Sequence, residues 1–348
     1  MKCLKYKRSF IVQVVLWAMI SVFGFFQIQN SYADRLNNKA CRIDSFYISK
    51  NYLEQAIRIN PNNPLYYANL GLLYAQSDSS LSISNFISGF IIESAALDSA
   101  ITYFEQSVSI GNNESMFMLN LGLLYALKGE YIKALTYIND SQSSSDIYLL
   151  SFGILQEHVN NREVAKDLYV NALYQYPGLL DSHFYSDLKL RDSLLAEFVL
   201  CETEKLLTEE YLFSEDPIIA AKLGKIKLYL QKIDEAEILL NKATSELPSL
   251  NRPWLYLGNI SELRGDTITA IEYYKKAEVL DFSDILPLFY LSRYDKRSAE
   301  KIELMREHLV TTQSFILQSK YNILLVKPKF VIRDYMKLNF IMEDSEKP

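Results

Sequence analysis

Glycine and proline are scarce in this chain, 11 and 9 among 348 residues. Sheets joined by tight turns use both freely, so their scarcity favours helices with short connections. Histidine and cysteine are rarer still, three of each. No two of His158, His183, His308, Cys3, Cys41 and Cys201 stand at metal-ligand spacing. There is no HExxH, no Gly-x-Ser-x-Gly and no glycine-rich phosphate loop, the short motifs that carry hydrolytic and nucleotide chemistry. Acidic pairs such as Glu209-Glu210 read as solvated helix surface. The expectation is a non-enzymatic chain with no catalytic residue, no metal and no cofactor. Basic runs are missing beyond the opening stretch. The formal net charge is −6, and Lys2, Lys5, Lys7 and Arg8 all precede Ala33 in a segment without an acid. The remainder is therefore more acidic still. It lacks the clustered cations that neutralise phosphates, so no nucleic-acid partner is expected.

What the chain does have is apolar and aromatic bulk. Hydrophobic residues make up 49%, with 25 Tyr and 18 Phe, and in a helical protein these rings are packing residues. The chain opens with the positive stretch MKCLKYKR. The run Phe10–Phe26 follows without a single charge, and then come the small residues around Ser31-Tyr32-Ala33. This is the layout of a signal peptide cut after Ala33. The alternative is an uncut signal anchor, since the run is just long enough to span a bilayer. Basic residues precede the apolar run, so both readings place the rest outside the cytoplasm, exported, periplasmic or membrane-anchored. Contact with the inner membrane would come through this segment alone. Neither Cys3 nor Cys41 is placed as a lipoprotein acylation site.

Beyond the leader the sequence repeats itself. Asn69–Ala75 reads NLGLLYA, and so does Asn120–Ala126. A glycine and a later alanine recur at one fixed separation, as Gly122 and Ala134, Gly153 and Ala165, Gly224 and Ala236, Gly258 and Ala270. In the first unit Gly71 and Ala100 stand much farther apart, which marks an insertion between them. The step from Gly224 to Gly258 equals the step from Ala100 to Ala134. NYLEQAIRIN before Pro61 reads as the second half of one more unit.

These residues resemble the tetratricopeptide repeat, whose unit opens Trp-x-x-Leu-Gly-x-x-Tyr, continues Ala-x-x-x-Phe and closes on Pro with a period near 34. Trp254-x-x-Leu257-Gly258 matches the opening, Ala100-x-x-x-Phe104 the middle, and Pro61, Pro177 and Pro248 the close. The resemblance implies an all-α fold: a right-handed superhelical solenoid of helix-turn-helix repeats. It also implies that glycine and alanine let the two helices of a unit touch, while Tyr74, Tyr125, Tyr169 and Tyr274 fill the gap to the next unit. The expected organisation is 1–33 signal peptide or anchor, and 34–177 N-terminal repeat block with the 77–99 insertion. A linking segment 178–216, a C-terminal block 217–283 and a cap and tail 284–348 complete it. Within the link, Asp192 is the expected cap of one long helix. In the cap, helices are expected at about 297–311, 313–326 and 330–342, with a break at Pro328. A shorter likeness concerns YPGLLDSHFYSDLKLRDSLL (176–195), which resembles the repeat regions appended to O-antigen ligase and polymerase-type membrane proteins. It implies an accessory role in envelope polysaccharide assembly.

In such a solenoid the first helix of each unit lines a concave groove. The face turned away from the second helix carries Leu65, Ala68, Leu72 and Ala75, then Met116, Leu119, Leu123 and Leu127, then Ile147, Leu150, Glu157 and His158. Farther on it carries Lys225, Tyr229, Arg252, Asn259 and Glu262. The groove is thus apolar toward the N-terminus and polar toward the C-terminus. An exposed apolar groove of that size is either a binding site or covered. One reading gives it a protein or peptide partner, an amphipathic helix or extended apolar segment. The other fills it with the chain's own charge-poor insertion Leu81–Ala96, or with the 37–48 segment.

Overall fold

The computed structural model describes residues 2–43, 45–111, 115–141, 146–281, 284 and 286–309. Among these there is no strand, and the helices pair into successive hairpins that stack into an all-α solenoid. The first hairpin is α1 (Lys2–Ala40) with α2 (Phe46–Ile59). The second is α3 (Pro64–Gln76) with α5 (Ala95–Ser109), and the short α4 (Ile83–Ile87) lies in its connection. Then come α6 (Ser115–Leu127) with α7 (Tyr131–Ser141), and α8 (Asp146–His158) with α9 (Arg162–Gln175). A 3-10 turn (Pro177–Asp181) leads to α10 (His183–Arg191) and α11 (Ser193–Ser214). The array resumes with α12 (Pro217–Tyr229) and α13 (Ile233–Glu246), then α14 (Asn251–Leu263) and α15 (Thr267–Leu280). It closes with α16 (Leu286–Leu291) and α17 (Lys296–Leu309). The second helix of a hairpin packs on the first helix of the next, except that α9 packs on α11. The expected helices near 313–326 and 330–342, the break at Pro328 and the tail lie outside the described residues.

The glycines behave as the repeat requires. A Cβ added to Gly122 would lie 2.5 Å from Ile138 Cγ1 and 3.0 Å from the Ala134 carbonyl oxygen. Gly71, Gly153, Gly224 and Gly258 are closed off in the same way by Phe104, Tyr169, Leu240 and Tyr274. Discounting the insertion, the blocking residue always stands sixteen positions after its glycine. Ala100, Ala134, Ala165, Ala236 and Ala270 are fully buried beside them. The tyrosines differ from expectation. Tyr125 stacks on Tyr137 of its own hairpin at 5.5 Å, and Tyr74 on Tyr103 of its own at 5.5 Å. Tyr169 and Tyr274 do reach the next unit, meeting Phe184 at 4.9 Å and Tyr290 at 5.1 Å. Position in the hairpin decides this. The tyrosine three positions after glycine stacks on its own second helix, and the one sixteen after closes on its own glycine and also meets the next unit.

The turns repeat as well. Gly129, Asn160, Gln231 and Gly265 each stand seven positions after the glycine and have φ of 81, 60, 62 and 80°. The following amide in each case bonds back to a carbonyl five positions earlier, as in Glu130 N to Tyr125 O at 3.0 Å and Lys232 N to Lys227 O at 2.9 Å. This is the left-handed Schellman close of a helix. The equivalent place in the second hairpin is Asp78, where no such turn forms and the insertion departs.

Asp192 caps α11, its side chain accepting the Leu195 amide at 2.9 Å. α10 and α11 pair with each other, and α11 packs on both α9 and α12, so the link 178–216 continues the stack as an irregular hairpin. The array also begins earlier than Asn51. Ala33, Leu36, Asn37 and Ala40 are buried at helical spacing along the end of α1, against α2 and α3. Tyr66 donates to Asp34 at 2.5 Å and Asn69 to Asn37 at 2.8 Å. The 37–48 segment therefore forms the bend of the first hairpin and is no filler for the groove. Ala33 falls inside a continuous helix. Among the described residues no helix is long and apolar enough to cross a membrane.

Candidate functional site

The first helices of the hairpins carry the expected groove residues on one side, and the structure divides them sharply. In the N-terminal half Ala68, Leu72, Ala75, Met116, Leu119, Leu123 and Leu127 are all buried, with Leu65 part-buried. Every residue of α6 from Met116 to Leu127 is buried, so this helix has no free face. The insertion is one reason. Its α4 packs against α6 and reaches across to α10, with Leu81, Phe86 and Ile87 buried. The chain then passes the end of α8 at Gly89, and the turn after α6 at Ile91. The Ile92 amide donates to the Leu127 carbonyl at 2.8 Å.

His158 closes the middle of the face. Its ring stacks on Tyr131 at 4.9 Å, and a Cβ added to Gly89, which has φ +70°, would overlap it. Its Nε2 is buried without a hydrogen-bond partner. Burial holds its pKa below the usual histidine value, opposed by the nearby Glu157. Glu157 accepts from Tyr169 Oη at 2.7 Å and from Arg191 at 3.0 Å. Leu150 is buried, and the side chain of Ile147 lies outside those described.

The C-terminal half is polar and only partly covered. Lys225 was expected on the groove face, but the structure withdraws it. It is buried, 2.7 Å from Asp181 Oδ1 and over the Tyr256 ring at 4.9 Å. The second oxygen of Asp181 is buried and without a partner. Arg252, about 38% exposed in its side chain, pairs with Asp284 at 2.7 Å. Burial drives the Asp284 carboxyl above its ordinary range even with Arg252 beside it, and pushes the Tyr256 hydroxyl up to about 12. Tyr185 meets Tyr229 edge-on at 5.0 Å. Tyr274 donates to Asn259 at 2.9 Å and to Glu262 at 3.0 Å. Arg293 lies 3.1 Å from Glu262, and Tyr294 donates to it. Burial alone would raise Glu262, but these donors from Tyr294, Tyr274 and Arg293 hold its pKa below the usual carboxylate range.

Asp181, Tyr256, Asp284, Arg293 and Tyr294 were not visible as site residues in the sequence. They come from the link, from α14 and from the segments flanking α16, and the stack alone brings them together. Acids facing the cations of the neighbouring unit were the only signal. No group of His, Cys, Asp and Glu among the described residues is placed to hold a metal.

No family model and no curated protein matches the sequence. Solved structures do. A tetratricopeptide repeat protein from Parabacteroides merdae is 19% identical, covering 75% of this chain and 98% of its own, with a TM-score of 0.35. PilF of Pseudomonas aeruginosa is 10% identical over 77% of this chain and 99% of its own, with a TM-score of 0.35. Yeast Tom70 is 13% identical over 85% of this chain and 58% of its own, with a TM-score of 0.41. The likeness is one of hairpin architecture alone. The hairpins and their glycine-to-alanine packing define the class of fold: an all-α solenoid of tetratricopeptide-like helical repeats.

Proposed function

We propose that the chain is a non-enzymatic protein-interaction scaffold that takes a partner helix or peptide on the polar half of its concave face. One observation carries this. The insertion lies over α6 and the end of α8, whereas Tyr229, Arg252, Asn259 and Glu262 remain part-exposed on α12 and α14. Tyrosine and arginine side chains on a preformed concave surface are the groups that most often dominate protein binding. The mixed charges there suit a polar peptide of both signs better than a purely acidic one.

The N-terminal segment would hold the scaffold outside the cytoplasm. In support, Met19, Val22, Phe23, Phe25, Phe26 and Ile28 stand exposed along α1, an apolar surface unsuited to water. Because Ala33 is buried within the first hairpin, we read the segment as retained. The alternative role in envelope polysaccharide assembly has less behind it. Pro177, Leu179, Leu180, Phe184, Tyr185 and Leu188 are buried packing residues, which accounts for the 176–195 pattern on structural grounds.

The test is a photo-crosslinking amino acid placed at Arg252, with Ile238 on the outer side of α13 as control. A single adduct from position 252, absent from 238, is expected. Equal labelling from both positions would sink the concave-face reading. N-terminal sequencing of the protein from its membrane fraction should return a start upstream of the charge-free run Phe10–Phe26. A start at Asp34 would show that the leader is cut.

A further inference from the structure

The residues from Leu81 to Ile92 carry no charge, and they lie where a bound peptide would lie. α4 seats Phe86 and Ile87, both buried, between α6 and α10. The chain then extends past His158 and ends on a main-chain hydrogen bond, Ile92 N to Leu127 O at 2.8 Å. Among the described residues the segment's other hydrogen bonds are local. Asn85 Nδ2 donates to the Ser80 carbonyl at 2.7 Å, and the Phe90 amide to the Asn85 carbonyl at 3.0 Å. What the described residues show holding it to the solenoid is a few apolar anchors and the Ile92 backbone bond. It departs from the end of α3, which lacks the left-handed close found in four other hairpins. It is also an imperfect occupant, because Phe90 is 61% exposed and faces water.

We propose that the concave face of α6, α8 and α10 is a second binding surface, and that Leu81–Ile92 is its intramolecular competitor. The partner is a charge-free protein segment of the same chemistry: one helical turn carrying two adjacent large apolar residues, then an extended apolar stretch. A partner with a polar residue in place of Phe90 would cover the face without leaving a ring in water. Binding proceeds by displacement, so the surface is closed until such a segment competes for it. This rests on the scaffold reading but concerns the apolar half of the concave face, and its test does not involve Arg252.

The experiment uses the full-length Phe86→Ser chain and a fluorescent synthetic peptide of residues 81–93. Loss of the Phe86 anchor loosens the strap and leaves the groove residues unchanged. The variant is expected to bind the peptide at least tenfold more tightly than the unaltered chain, and a peptide carrying the same F86S change should lose that affinity. Peptide binding no tighter than to the unaltered chain would overturn the proposal. So would a stable dimer in which each copy's strap fills the other's groove. If Phe86→Ser lowers the helical signal, Gly89→Val decides instead, since its side chain would overlap His158 and lift the strap with both anchors intact. Faster hydrogen exchange at the Ile92 amide with an unchanged melting temperature supports the proposal, and unchanged exchange there rejects it.

Discussion

Gly122 is closed off by backbone as well as by a side chain. Any side chain there meets Ile138 and the Ala134 carbonyl at once, and backbone cannot move aside as a flexible side chain can. A glycine within a helix costs about 1 kcal/mol against alanine, and the close helix contact offsets this. Gly122→Leu is expected to destabilise the protein by several kcal/mol through overpacking, at the upper end of about 1–3 kcal/mol or beyond. A melting temperature within a degree of the parent would show that the register is wrong. Lys225 makes the complementary case. It and Asp181 are buried together, with side chains 4% and 15% exposed. Lys225→Met leaves an uncompensated acid and should cost about 3–5 kcal/mol. The double change Lys225→Met with Asp181→Leu should recover most of that loss in chemical denaturation. If the double variant is no more stable than the single one, the pair is not coupled.

At the scale of the element, the last hairpins are tied to each other by charge. Glu262 on α14 gathers Tyr274 from α15 and Arg293 and Tyr294 from the turn after α16. Its folded pKa is depressed, so its contribution is present above the unfolded value near 4.3 and is lost as pH falls through the folded one. Glu204, held by Lys227 and Lys232, is depressed too and acts in the same direction. Thermal stability should therefore fall as pH is lowered from about 6 to 3, and Glu262→Gln should show a shallower fall. Equal slopes for variant and parent would remove Glu262 from the account. Asp284 works against this trend, because burial raises it and its charged form is disfavoured in the fold.

At the scale of the whole molecule, the repeat was legible because its determinants are local. Glycine, alanine and the residue sixteen beyond the glycine lie within one hairpin, so period and spacing expose them. Asp192 was legible for the same reason, as a cap acting three positions along its own helix. The end of α1 was not, because Ala33 read as the last residue of an apolar leader, and the 37–48 segment with Ala40 read as a candidate groove filler. The insertion was legible as a candidate cover for the apolar groove, because Leu81–Ala96 is charge-poor and an exposed apolar groove is costly. Its course across α6 to α10 was not, since Leu81–Ile92 has apolar residues but no sustained period. The polar cluster is the clearest miss, since Lys225 and Asp181 are far apart in sequence and meet only because the Pro177–Asp181 turn packs against α12.

That insertion has a mechanical meaning as well. A stack of hairpins stretches and coils like a spring, because each unit touches only its neighbours and small rotations add up along the chain. α4 leaves the second hairpin and rests on α6 and on α10, so it ties together units that would otherwise turn independently. The second hairpin, α6 and α10 are thereby cross-linked, whereas no such tie spans the hairpins from α12 onward among the described residues, the ones that carry Arg252 and Glu262.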